Sequence, residues 1–170
     1  MKILLFSILL LFFFSTGYVL AQTDIAEHKS CRYCNMDRQR YSHSRMFIRY
    51  SDGSAVAVCS LHCAAVDLAR NTDNAPLSIE VADYISTRLI RAETAFWVIG
   101  GNRQGVMTSK AKWAFEKKAD AEAFIRECGG RPASYEEAIR EAYVDIYKDS
   151  RMIRGKRMMH RMQSGCCADR

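Results

Sequence analysis

Apolar and polar positions along this chain predict one small unit, used twice. Met46-Phe-Ile-Arg-Tyr50 has the composition of a strand, Ser51-Asp-Gly-Ser54 carries an Asp-Gly turn, and Ala55-Val-Ala-Val-Cys59 returns as a second strand. Leu61, Ala64, Ala65 and Leu68 then recur on one face of a helix over Leu61 to Ala69, with Ser60 as its N-cap. The pattern repeats further on. Ala95 to Ile99 is an apolar strand ending in Gly100-Gly101, a loop with Gly105, Val106 and Met107 follows, and Ala111 to Phe115 returns. A helix over Ala119 to Cys128 turns Ala121, Phe124, Ile125 and Cys128 to one side and stops at Gly129-Gly130. Neither β-β-α unit buries a core alone, so the two must pack together. Ile79 to Ile90 reads as extended. Ser134 to Tyr147 reads as a third amphipathic helix, opened by the capping box of Ser134 and Glu137. The expected fold class is α+β.

The two ends read differently. Lys2 precedes an apolar run from Ile3 to Phe14, and Val19-Leu-Ala21 offers a cleavage site. The run falls short of the roughly 20 residues that span a bilayer. This predicts a Sec signal over residues 1–21, an exported, periplasmic chain, and no stable membrane span after cleavage. No cysteine follows the cleavage point, so the usual lipoprotein signal is absent. Residues 22–30 look untethered. The expected divisions are 22–73 for the first unit, 74–147 for the second with its helix, and 148–170 for a flexible basic tail, either disordered or a frayed helix. That tail carries Met152, Met158, Met159, His160, Met162, Cys166 and Cys167.

Charge adds little to this picture. The net +6 favours anionic surfaces or partners, and in an exported chain it is no nucleic-acid signature. Cysteine adds more. All seven (31, 34, 59, 63, 128, 166 and 167) follow the signal, where disulfides are permitted, and an odd number leaves at least one thiol over.

The densest chemistry lies in Cys31-Arg-Tyr-Cys34-Asn-Met36. Three readings compete. Cys31 and Cys34 can form a plain disulfide. With Cys59 and Cys63 they make C-x2-C-x24-C-x3-C, a loose zinc-ribbon spacing with a long gap and a wide second knuckle. Alternatively, Cys34 with Met36 is a thiolate–thioether pair, a soft set that selects Cu(I), and Met107 in the glycine-flanked loop is a second thioether that can join it. Against this, Met107 by itself reads more readily as a core methionine, and Cys59 and Cys63 as small buried residues. His43 is a candidate nitrogen donor. Cys59, His62 and Cys63 form a compact C-x-x-H-C cluster, a candidate second site or transfer ligand, or else His62 is a solvated histidine on an exposed helix turn.

The same residues resemble a known family. Cys31-Arg-Tyr-Cys34-Asn-Met36 is similar to the C-x-x-C-G-M motif of NosL-type copper-binding accessory proteins of nitrous oxide reductase. Val81-Ala-Asp-Tyr84 with Thr87, Ala95-Phe-Trp-Val-Ile-Gly100, Gly105-Val-Met107, and Ala119 to Phe124 with Gly129-Gly130 follow in the family's order. The resemblance implies two β-β-α subdomains related to the C-terminal part of organomercurial lyase. It also implies Cu(I) as cargo, with ligands at Cys34, Met36 and Met107 and an auxiliary Cys31. The implied partners are a copper-receiving periplasmic enzyme such as apo nitrous oxide reductase, or a copper exporter. Three departures stand out. Asn35 replaces the motif glycine but tolerates the left-handed backbone. Val106 replaces a proline, and the family's lipid-anchor cysteine is missing. Mercury–carbon cleavage would need paired thiolates beside an acid, such as Cys34 or Cys63 with Asp37 or Asp67. With no Ser-His-Asp order, phosphate loop or zincin motif, the chain reads as a carrier rather than an enzyme.

Overall fold

The structure is a computed structural model that describes residues 23–165. The expected signal segment and the pair Cys166 and Cys167 lie outside the described residues. In chain order the elements are α1 (Thr23–Glu27), β1 (Met46–Tyr50), β2 (Ala55–Val58), α2 (Leu61–Arg70), β3 (Pro76–Ala82) and β4 (Leu89–Arg91). There follow β5 (Phe96–Ile99), β6 (Lys112–Phe115), α3 (Lys118–Cys128), β7 (Arg131–Ala133) and α4 (Tyr135–Gly165).

The fold is α+β, with two small antiparallel sheets. The first has strand order β2-β1-β3-β4 and the second β6-β5-β7. Each expected hairpin forms, with Met46 opposite Val58 in one and Phe96 opposite Phe115 in the other. Each sheet then recruits strands that the two-unit reading lacks. The segment expected to be extended from Ile79 to Ile90 instead breaks at Asp83, whose carboxylate accepts from Ser86 N–H and Oγ and from Glu116 N–H. That break lets Tyr84 N–H donate to the Ala114 carbonyl (2.8 Å), so the connector stitches one sheet to the other. Residues of both units join one continuous buried cluster, including Met46, Ile48 and Val58 from the first and Trp97, Val98 and Phe115 from the second. The shared core that each small unit requires is therefore present.

Two expectations at the ends are resolved. Of the stretch expected to be untethered, residues 23–30 are held in place. α1 places Asp24 between the buried guanidiniums of Arg38 (2.6 Å) and Arg45 (2.9 Å), and Ile25 is buried. The remaining guanidinium hydrogens are taken by backbone carbonyls, among them those of His28, Ser42 and Thr87. Nor is the basic segment after Lys148 disordered as far as Gly165: the helical alternative holds there, because α4 continues through it. The capping box forms as expected: Ser134 N–H donates to Glu137 Oε2, and Glu137 N–H donates to Ser134 Oγ. Ser60 stands at the N-cap of α2 but makes no side-chain cap bond. Among the described residues no helix is long and apolar enough to cross a membrane.

Candidate metal centre

Cys31 to Met36 forms a tight knuckle. A bridge between Ser30 and Asp37 closes its base, and Cys31 N–H donates to the Met36 carbonyl (2.9 Å). Asn35 N–H donates to the Cys31 carbonyl, and Asn35 itself lies in the left-handed region, at φ 61°, turning the chain back so that the Met36 carbonyl faces Cys31 N–H. The knuckle is fixed to the first sheet by Arg32 N–H donating to the Ala57 carbonyl. Tyr33 ties it to α2, its hydroxyl donating to the buried carboxylate of Asp67 (2.5 Å), which also accepts from Tyr50. Burial, together with that carboxylate, raises the Tyr33 phenol to about 12, so it remains a donor.

The antiparallel hairpin returns the chain to the knuckle. Cys59, just past the end of β2, and Cys63, in the first turn of α2, meet Cys31 and Cys34 there. The four Sγ atoms lie within 4.8 Å of one another, with Cys34–Cys59 at 3.4 Å and Cys59–Cys63 at 3.8 Å. Cys31, Cys59 and Cys63 are buried, Cys34 is half-buried, and all four are free thiols.

Their protons are shared unequally. Hydrogen bonds from Cys34, Cys59 and Cys63 lower Cys31 far below an ordinary thiol. Cys34 is also lowered: its bond with Cys31 works against ionisation, but those from Cys59 and Cys63 outweigh it. Cys59 and Cys63, donating to Cys31 and Cys34 and desolvated by burial, are raised. In the metal-free cluster the four thiols are thus coupled through hydrogen bonds that hold their protons. A soft cation entering it displaces those protons.

The two methionines of the sequence reading do come together. Met36 and Met107 both line a cleft of about 490 Å3, with His43 on its wall. His43 packs against Tyr84 and Trp113, at ring separations of 5.7 and 5.5 Å. Burial lowers its pKa, which keeps an imidazole lone pair available at neutral pH. Met107 is half-buried and sits at φ 61°, the left-handed region that costs a side-chain-bearing residue about 1–2 kcal/mol. Its loop is packed closely enough to hold that conformation. A Cβ on Gly105 would lie 2.8 Å from both Cγ2 and the carbonyl oxygen of Thr108.

His62 does not join the thiols. It is buried rather than solvated, correcting the expectation of an exposed histidine, and its Nδ1 lies 3.6 Å from Asp149 on α4. Cys63, weighed beside it as a peripheral candidate, is a full member of the sulfur cluster. Cys59 is the residue that sequence reasoning undervalued. The C-x3-C spacing was a signal, but the 24-residue gap before it obscured how directly a hairpin closes that distance. Asp37 accepts from the backbone of Gln39, and Asp67 accepts from the hydroxyls of Tyr33 and Tyr50.

The sequence profile of the family described as NosL matches residues 22–144. No curated protein matches the chain. Among solved structures, the crystal structure of the copper chaperone NosL from Shewanella denitrificans shares the fold, with a TM-score of 0.51 and 22% identity. The alignment covers 64% of this chain and 87% of that one.

Proposed function

The chain belongs to the NosL family, and from that premise we propose that it is an exported carrier of Cu(I). Cys34, Met36 and Met107 hold one ion, Cys31 stands beside it, and His43 is an available nitrogen donor. The ion passes to a periplasmic copper enzyme, of which apo nitrous oxide reductase is the one the family points to. One observation carries this reading: Met36 and Met107, far apart in sequence, line one cleft, and Met36 lies two residues from the half-buried thiol of the sulfur cluster.

The donor set suits the task. Thiolate and thioether sulfur favour Cu(I) over harder ions. Thioethers are the weaker donors, so a recipient thiolate or imidazole can displace them one bond at a time. Copper stays Cu(I) throughout: each copper–sulfur bond broken is replaced by one to the recipient, and no electron moves. The direct test mixes the Cu(I)-loaded protein anaerobically with an apo copper enzyme, separates the two and measures copper in each. Copper moving to the apo enzyme supports delivery; copper retained at equimolar apo enzyme contradicts it.

A second reading has its own observation. Four thiolates bound to zinc at about 2.3 Å lie about 3.8 Å apart at the corners of a tetrahedron, and the observed sulfur spacing brackets that value. A closed zinc site that braces the knuckle would explain it. Zinc analysis of the purified protein and of Cys59→Ser and Cys63→Ser variants distinguishes the readings. One zinc per chain, lost in both variants along with the fold, favours this one.

A further inference from the structure

α4 extends past residue 144, where the family match ends, and its extension lies against the metal cleft. Asp145, Asp149, Met152, Ile153 and Lys156 share one helix face by spacing. The first two fix the rotation of the helix. Asp145 pairs with the buried Lys112 ammonium (2.9 Å). Asp149, 1% exposed, accepts from Ser109 N–H (3.0 Å) and Ser109 Oγ (3.2 Å), and faces His62. The next residues on that face, Met152, Ile153 and Lys156, line the same cleft as Met36 and Met107.

We propose that Met152 is a third thioether ligand for the cargo Cu(I), delivered by the helical extension and positioned by Asp149; this rests on the copper reading above. Two independent features converge on it. The first is chemical. Met152 is half-buried in the cleft, whereas Met158, Met159 and Met162, further along the same helix, are 58–69% exposed. The second is mechanical. Ser109 lies two residues after Met107, so one carboxylate grips both the loop that carries Met107 and the helix that carries Met152. His62, the neighbour of Cys63, lies 3.6 Å from the other side of Asp149, so the carboxylate also stands beside the helix that supports the sulfur cluster. A flexible ligand on a separate element suits transfer: it closes over the ion when loaded and can leave first when a recipient ligand arrives.

The test uses the exported chain, residues 22–170, with 13C-labelled methionine methyl groups, titrated anaerobically with Cu(I). The expected result is that the Met36, Met107 and Met152 methyl signals shift together, while those of Met158, Met159 and Met162 stay in place. Met152→Leu, which keeps the bulk and removes the sulfur, should lower Cu(I) affinity by at least about 10-fold, the low end of what losing even an outer-shell partner of a metal site costs. Asp149→Asn should reduce the Met152 shift and leave that of Met36 intact. If Met152 stays in place while Met36 and Met107 shift, the inference is overturned and the copper reading stands. If copper binds and none of the three moves, the ion sits among the thiols alone, and the inference falls together with the thioether cleft.

Discussion

Asn35 shows how one side chain decides the geometry of the knuckle. The turn places a left-handed residue at position 35, which brings the Met36 carbonyl back to Cys31 N–H. Glycine adopts that region freely, asparagine tolerates it, and a β-branched residue does not. Asn35→Gly should therefore retain stability within a few tenths of a kcal/mol, whereas Asn35→Val should lose about 1–2 kcal/mol, read from urea unfolding of both variants. Equal stability of the two would mean that the turn carries no such requirement. The tolerance of asparagine at this position was legible in the sequence. The arrangement around Asp24 was not, since nothing in its local sequence shows that Arg38 and Arg45 will be buried against it. Burial pushes that carboxyl up, but the Arg45 and Arg38 guanidiniums more than offset this and hold it below the ordinary carboxylate value of 3.8. A carboxyl lowered on folding contributes stability that is present above its unfolded pKa and lost as pH falls through the folded one. Thermal stability should thus decline below about pH 4. Asp24→Asn, which leaves two buried cations short of a counter-charge, should cost about 3 kcal/mol at neutral pH and flatten that acid limb.

At the scale of elements, both hairpins and the helices after them were readable from periodicity, because each buries one face and must repeat at its own spacing. What was not readable is where the pieces meet. The long gap in C-x2-C-x24-C-x3-C looked wrong for a metal site, yet β1 and β2 fold that gap back on itself and set Cys59 beside the knuckle. The helix after Lys148 was only one of two readings of that stretch, the other being disorder. Its sequence is basic and poor in aromatic residues, and its place is fixed by Asp145 and Asp149 reaching Lys112 and Ser109, partners distant in sequence. The loop between β5 and β6 makes its own prediction. Gly105→Ala places a methyl group against Thr108 and should cost about 1–3 kcal/mol by overpacking. The same variant should weaken Cu(I) binding, because Met107 is displaced with the loop. Unchanged affinity in a folded Gly105→Ala variant would show that the position of Met107 does not matter.

For the whole molecule, the two sheets share a core, and the cleft with Met36 and Met107 draws its walls from both units and from α4. Binding there should stabilise the entire fold rather than one unit. With free Cu(I) at a hundred times its dissociation constant, the gain is about 2.7 kcal/mol, which raises the unfolding temperature by about 5–10 °C in a domain of this size. A single cooperative transition that moves upward on loading is expected; a transition that splits in two would contradict a shared core. The central claim concerns the thioether cleft itself, and an anaerobic titration of the reduced protein with Cu(I) against a chromophoric competitor tests it most directly. Tight binding of one ion per chain that collapses in Met36→Leu, while the variant stays folded, is the predicted result. Binding of equal strength in the wild type and in Met36→Leu would contradict it.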